Sequence, residues 1–272
     1  MIIRHDINPQ QYLANPADFP AVVTVDSSKE EIQIAYDNID QLLKPSLMPS
    51  VQTEPSYRMR CDGMGALIHP QWILTAAHVA AKLTAVELTS ENAIAFRDKA
   101  YAIKQIVLHP QFEDATLSNP LDTQIANHDI ALIQLAQTVE NVPVLPLYEN
   151  KDELEQTVTL VGRGDFGNGL IGPDQVDGEL RKATNKVEKV DSQHLIFIFD
   201  TPPTCTTLEG ISGPGDSGGP ALLSVNGEWA IAGISSSQSS PERLGEGRYG
   251  VWEYHTRVSS YINWIESTIS IE

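Results

Sequence analysis

The chain has 272 residues, 41% of them hydrophobic, with 18 Gly and 17 Pro, a globular composition that excludes disordered and collagen-like chains and has room for one large core or two small ones. Against 18 Lys and Arg stand 36 Asp and Glu, a formal net charge of −18, which repels a nucleic-acid backbone or an anionic membrane surface. No stretch approaches the ~20 apolar residues of a spanning helix, and 2 cysteines are too few for a disulfide framework or a four-thiolate zinc site.

The chain opens Met1-Ile2-Ile3-Arg4-His5-Asp6, without the long apolar stretch or small-residue cleavage site of a signal peptide. It reads either as a protein made without a leader or as one starting where a leader was removed. Most periodic segments after this have the strand period. Residues 21–25, 65–68, 72–74, 103–108, 130–133, 157–161, 195–199, 221–225 and 229–234 are short, rich in Val and Ile, and bounded by Gly, Pro, Asn and Asp. Two stretches read as helix: 29–43, ended by Lys44-Pro45, and 258–271, with Ile262, Ile265 and Ile269 on one face. The polar segment at about 27–58 reads as an insertion between strands. Many short strands with frequent turn signals predict an all-β sandwich or pair of barrels over a βαβ array.

Three segments carry candidate chemistry. Leu74-Thr75-Ala76-Ala77-His78 ends a strand and leaves room beside an imidazole. Asn127-His128-Asp129-Ile130-Ala131-Leu132-Ile133 sets one carboxylate at the mouth of an apolar strand, where burial is sensible if an imidazole N–H donates to it. Gly213-Pro214-Gly215-Asp216-Ser217-Gly218-Gly219-Pro220-Ala221 surrounds a serine hydroxyl with glycines, which can expose the consecutive N–H groups that a developing oxyanion needs. Gly-Asp-Ser-Gly alone reads equally as a turn between strands.

Two other motifs carry less. Gly162-Arg163-Gly164-Asp165-Phe166-Gly167 matches G-x-G-x-x-G after a strand, but it continues into Asn168-Gly169-Leu170-Ile171-Gly172-Pro173, which cannot start the helix that would hold a pyrophosphate. Arg163-Gly164-Asp165 matches an adhesion tripeptide too short to be specific. No His or carboxylate cluster has metal-ligand spacing, so neither a metal nor another cofactor is expected.

With His78, Asp129 and Ser217 in that order, the chain resembles the trypsin-like, chymotrypsin-fold serine endopeptidases, as a divergent member of bacterial type. The resemblance runs from about Phe19-Pro20 to Trp264-Ile265 and takes in Trp72, the Ala-Ala-His, the Asp-Ile-Ala-Leu strand and Tyr254-His255-Thr256-Arg257-Val258. It implies an all-β fold of two packed six-stranded Greek-key β-barrels with a C-terminal helix. The divisions would be an N-terminal segment 1–18, a first barrel 19–145 containing the insertion, a second barrel 146–257 and the helix 258–272. It also implies a triad in the cleft between the barrels: Ser217 as nucleophile, His78 as general base and then acid, Asp129 orienting the imidazolium, and the Gly215 and Ser217 N–H groups as oxyanion hole. The substrate is then a peptide or protein, bound at a primary pocket aligned with Ile211, Ser212, Ser236, Ser237, Gln238 and Glu253. Ile211 stands where trypsins carry an aspartate, which argues against simple pairing with Lys or Arg. Glu253 either attracts a basic side chain or pairs with protein donors. The rival readings are a non-catalytic peptide-binding homologue, which would usually have lost a triad member, and an esterase with the same triad.

Against that family pattern the chain departs in its cysteines and its start. Val79 follows His78 and Gly213 precedes the nucleophile by four residues, where cysteines are usual; Cys61 lies two residues before Gly63, the position of the first-barrel cysteine. Cys61 and Cys205 are therefore expected to stay unpaired, with packing in place of the disulfides. In typical members an Ile-led terminus pairs its ammonium with the acid before the nucleophile, here Asp216. Ile2-Ile3 resembles such a terminus, but Arg4-His5 replaces the usual Gly-Gly. The expectation is that Arg4 or His5 supplies the cation to Asp216, the alternative being removal of a leader before Ile2 or Ile3. Family habit and the acidic surface further imply a secreted or periplasmic monomer with no nucleic-acid or membrane partner.

Overall fold

The computed structural model describes residues 1–25, 62–84, 93–96, 99–113, 125–239 and 245–270; the expected helix at 29–43, the insertion at about 27–58 and Cys61 lie outside them. In chain order these residues form β1 (Ile2–Ile3), β2 (Val22–Thr24), β3 (Met64–His69), β4 (Trp72–Thr75), α1 (Ala77–Thr84), β5 (Ala93–Phe96), β6 (Lys99–Leu108) and β7 (Ala131–Leu135). They continue as β8 (Thr157–Gly162), β9 (Phe166–Asn168), β10 (Gly172–Gln175), β11 (Arg181–Lys186), β12 (Lys189–Val190) and β13 (His194–Ile198). Last come β14 (Gly210–Ile211), β15 (Pro220–Val225), β16 (Glu228–Ser239), β17 (Trp252–Arg257) and α2 (Ile262–Ile269).

Two antiparallel sheets dominate, in the orders β2-β3-β4-β7-β6-β5 and β11-β8-β15-β16-β17-β13-β12. Each curls on itself: β2 comes back against β5 in the first sheet, and β11 against β13 in the second. The second sheet thus has seven strands, one more than the six-stranded barrel expected, because the two-residue β12 adds an edge beside β13. The central strands are apolar on both faces. Every residue of Trp72–Thr75 and of Ala131–Leu135 is buried, so these read as continuous apolar runs and not as alternations. One core cluster gathers Trp72, Ile73, Leu74, Val79, Leu83, Ile94, Phe96 and Ile133, and extends to Leu222 and Ile231 of the second sheet.

A third sheet, β10-β9-β1-β14, joins the chain start to the second half. Ile2 and Ile3 pair antiparallel with Ile211 and Gly210 and parallel with Gly167 and Asn168. At the other end, Val258–Ser260 form a 3₁₀ turn before α2, whose Ile265 is fully buried and whose Ile262 and Ile269 lie against the core. The expected apolar face is therefore present on a helix shorter than the expected 258–271. Among the described residues no helix is long and apolar enough to cross a membrane.

Candidate active site

His78 is the second residue of α1, not the end of a strand. Ala77 and Ala80 pack on Ala131 of β7, so small side chains bring the first turn of α1 against the mouth of that strand, where Asp129 sits. Asp129 Oδ1 accepts the His78 backbone N–H at 2.8 Å, and Oδ2 lies 2.7 Å from His78 Nδ1. The carboxylate is 1% exposed and the imidazole side chain 23% exposed, so the ring keeps one edge toward solvent. Two residues of the second sheet complete the cage. Ser236 Oγ donates to Asp129 Oδ2 at 2.6 Å, and Thr256 Oγ1 donates to the Asp129 carbonyl at 2.7 Å. Burial pushes the Asp129 pKa up; the facing imidazole and the hydrogen bonds from His78 and Ser236 outweigh it and hold the carboxyl below its ordinary range.

Ser217 is half-buried on the turn between β14 and β15. That turn is stitched to both sheets: the Met64 N–H donates to the Ser217 carbonyl at 2.6 Å, and the Gly218 N–H to the Ser235 carbonyl at 2.8 Å. Gly218 has φ +82°, and a Cβ there would collide with the Met64 carbonyl and with Thr75 Oγ1 beside Ala76. Only glycine permits this approach, which seats the serine at the start of the segment that leads to His78. Gly215 is also left-handed, at φ 89°. Among the described residues neither the Gly215 nor the Ser217 N–H has a protein acceptor.

The partner of Asp216 differs from the expectation. Its Oδ2 lies 2.6 Å from the Met1 α-amino nitrogen and accepts the Gly213 N–H at 2.8 Å; Oδ1 accepts the Gly164 N–H at 2.6 Å. The Met1 amine also donates to the Asp165 carbonyl at 2.5 Å. Neither Arg4 nor His5 reaches this nest. Arg4 pairs with Asp6 and with the carbonyls of Thr206 and Thr207, while His5 Nδ1 lies 2.8 Å from the Tyr249 hydroxyl. The reason is the β1 ladder: insertion between β9 and β14 carries Met1 inward and leaves residues 4 and 5 at the outer end. The same nest accounts for the G-x-G-x-x-G string, since Gly164 serves Asp216. Asp165 is buried, so Arg163-Gly164-Asp165 is no adhesion surface.

The residues aligned with the primary pocket are brought together, and Ile211, Ser212 and Glu253 among them are buried. Ile211 packs with Ile2, Phe199 and Val251. Glu253 is 1% exposed; its Oε1 and Oε2 accept the Ser212 N–H at 3.0 and 3.2 Å, and Oε1 lies 3.2 Å from His255 Nε2. Glu253 therefore pairs with protein donors, the second of the two readings left open for it. Ser235 Oγ donates to Ser212 Oγ at 3.0 Å, Ser237 Oγ is buried without a hydrogen-bond partner among the described residues, and the Ser236 side chain serves Asp129.

Close packing stands where the family's disulfide beside the histidine is missing. A Cβ on Gly63 would lie 2.5 Å from Val79 Cγ1, so the backbone of one position rests on the side chain of the other. Among the described residues Cys205 has no disulfide partner.

Comparison with known proteins agrees with this geometry. The family model described as Trypsin matches residues 49–265. Chymotrypsin-like elastase family member 1 of Felis catus is 31% identical over 222 residues, covering 76% of this chain and 78% of that protein. Tryptase of Mus musculus is 27% identical over 244 residues, covering 79% and 81%. The matched segment holds His78, Asp129 and Ser217 together with the second curled sheet and all of the first but β2, and the chain belongs to the trypsin family of serine endopeptidases.

Proposed function

We propose that peptide-bond hydrolysis proceeds through His78, Asp129 and Ser217. Ser217 Oγ attacks the scissile carbonyl while His78 Nε2 takes its proton. The imidazolium then gives that proton to the leaving amine, and the acyl-enzyme ester is cleaved by a water activated in the same way. Asp129 holds the ring so that Nδ1 carries the hydrogen and stabilises the imidazolium. The Gly215 and Ser217 N–H groups receive the oxyanion, a contribution of roughly 3 kcal/mol for each such donor. The observation that carries the reading is the 2.7 Å contact between His78 Nδ1 and a buried Asp129 carboxylate. A buried acid with no imidazole to pair would be costly, so this arrangement favours an enzyme over a peptide-binding homologue.

The same reading divides the chain into a segment 1–18, barrels at 19–145 and 146–257 and a helix at 258–272, and makes it a secreted or periplasmic monomer. It takes peptide or protein substrates, needs no cofactor or metal, and engages neither nucleic acid nor membrane, in keeping with the net charge of −18. Casein digestion coupled to fluorophosphonate labelling tests it. Labelling at Ser217 with casein cleavage is the expected result, labelling without cleavage points to an esterase, and no labelling points to the binding homologue.

A further inference from the structure

We propose that Gln193, on the turn between β12 and β13, is a positioning residue for the reaction: it fixes the backbone just before Asp129 in the conformation that aims the carboxylate at His78. The inference rests on the reading of His78, Asp129 and Ser217 as the triad. The chain enters β7 by a tight path. His128 is left-handed at φ 50°, uncommon for a residue with a Cβ, and its carbonyl accepts the Ile130 N–H at 2.8 Å, a three-residue turn centred on Asp129. Backbone bent in this way persists where its surroundings over-determine it.

Gln193 supplies that restraint. Its Oε1 accepts the His128 N–H at 2.9 Å, a role only the amide oxygen can fill. The His128 ring is held separately, with Nδ1 3.1 Å from the Tyr261 hydroxyl and its face stacked on His109 at 4.9 Å. Those contacts locate the side chain but leave the N–H unserved, so the plane of the preceding peptide is set by Gln193. The acceptor is itself rigid. Asp191 Oδ1 accepts the Gln193 and His194 N–H groups, each at 2.7 Å, and the Arg257 N–H donates to the Gln193 carbonyl at 2.7 Å. Arg257 Nη1 donates to the Asp191 carbonyl at 3.1 Å, while Glu153 pairs with the rest of the guanidinium. One residue on, His194 Nε2 lies 3.3 Å from the Ala126 carbonyl, a second hold on the same approach to Asp129. Without the Gln193 bond the peptide before His128 can swing. Asp129 follows it, and the 2.7 Å contact with His78 Nδ1 loosens.

The test is the pH dependence of kcat and KM on a peptide substrate for Gln193→Leu and Gln193→Ser, neither of which brings an acceptor to His128, beside Gln193→Glu, which does. Gln193 is half-buried on an exposed turn, so all three are expected to fold, as checked by circular dichroism. The first two are expected to lose about 10-fold or more in kcat, with KM within about twofold. The acid limb of their kcat/KM profile is expected to move to lower pH, because the imidazolium has lost part of its counter-charge. Gln193→Glu is expected to stay within about threefold of the unchanged chain, with its acid limb not lowered. A folded Gln193→Leu or Gln193→Ser protein at full kcat overturns the proposal. A loss carried by KM, a loss with the acid limb in place, or a loss that Gln193→Glu shares overturns it as well, since each marks a merely structural turn. Absence of casein cleavage by the unchanged chain overturns the endopeptidase reading beneath it, a result distinct from these.

Discussion

The α-amino group of Met1 and the Asp216 carboxylate lie 2.6 Å apart, both shut away from solvent, with Asp216 one residue before Ser217. The pair fixes the Gly213 to Ser217 turn from below, because the same carboxylate gathers the Gly213 and Gly164 N–H groups. Removing one partner of a buried ion pair costs about 3–5 kcal/mol.

In the chain that begins at Met1, acetylation of this amine is therefore expected to lower kcat/KM by about 10-fold or more, as the turn carrying Gly215 loses its anchor. Arg4→Ala and His5→Ala, whose side chains lie at the outer end of β1, are expected to stay within about threefold of the unchanged enzyme, a span typical of surface changes. Parallel assays of the acetylated protein and the two variants check this. Full activity after acetylation, with loss in either variant, would restore the internal cation.

Ser236→Ala removes one of the donors to Asp129 Oδ2. A hydrogen bond to a charged group contributes about 1.5–3 kcal/mol, so the variant is expected to be less stable by about that much. The sign of its pH dependence follows from the depressed Asp129 pKa. Stability gained from that carboxylate is present above the ordinary aspartate range and is lost as pH falls through the folded-state value. With a donor gone that value rises, so acid unfolding followed by circular dichroism is expected to begin at higher pH in the variant. Coincident acid transitions would contradict the role given to Ser236.

Glu209 behaves in the opposite sense. Burial raises its pKa from 4.5 to about 7, against hydrogen bonds from the Thr206 hydroxyl and N–H and the Asp200 N–H that partly compensate. The folded chain holds a proton there that the unfolded chain gives up, so this contribution is complete below pH 4.5 and is lost as pH rises through about 7. The shift corresponds to about 3 kcal/mol. Thermal melts at pH 5 and pH 8 are expected to show a drop in Tm that Glu209→Gln, neutral at both, largely removes. An equal drop in the variant would assign the pH dependence elsewhere.

Much of the fold was legible because its central strands are apolar on both faces: β4, β7, β15 and the first half of β16 stand out as Val-, Ile- and Leu-rich runs. The strands that hydrophobic pattern misses bury polar groups. In β11 the inward residues are Arg181, Ala183 and Asn185, with Arg181 paired to Asp177 over the Phe166 ring and Asn185 donating to the Ile198 and Gly210 carbonyls. β1 and β14 are two residues long and pair with distant segments, and β9 and β10 form a short Gly-rich hairpin beside them. Helix α1 carried a signal, since Val79, Ala80 and Leu83 share a helical face and are buried, but its short span follows a strand without a break. Within the site, the pairing of His78 with a buried Asp129 was legible from the motifs around them. The side-chain roles of Ser236 and Thr256 toward Asp129 were not, because they depend on how the second sheet meets the first. The Met1 contact was hidden for a like reason. Residue order shows Arg4 and His5 as cations near the start but not that a two-residue strand turns the amine inward.

The central claim is that Ser217 and His78 act as one unit held by Asp129. The most direct measurement compares kcat/KM on a peptide substrate for Ser217→Ala, His78→Ala and the double variant, with folding confirmed by circular dichroism. Each single change is expected to cost roughly 10⁴-fold or more, and the double variant is expected to be no worse than the weaker single one by more than about 10-fold. Losses that multiply, or a Ser217→Ala protein that keeps its activity, would contradict the account.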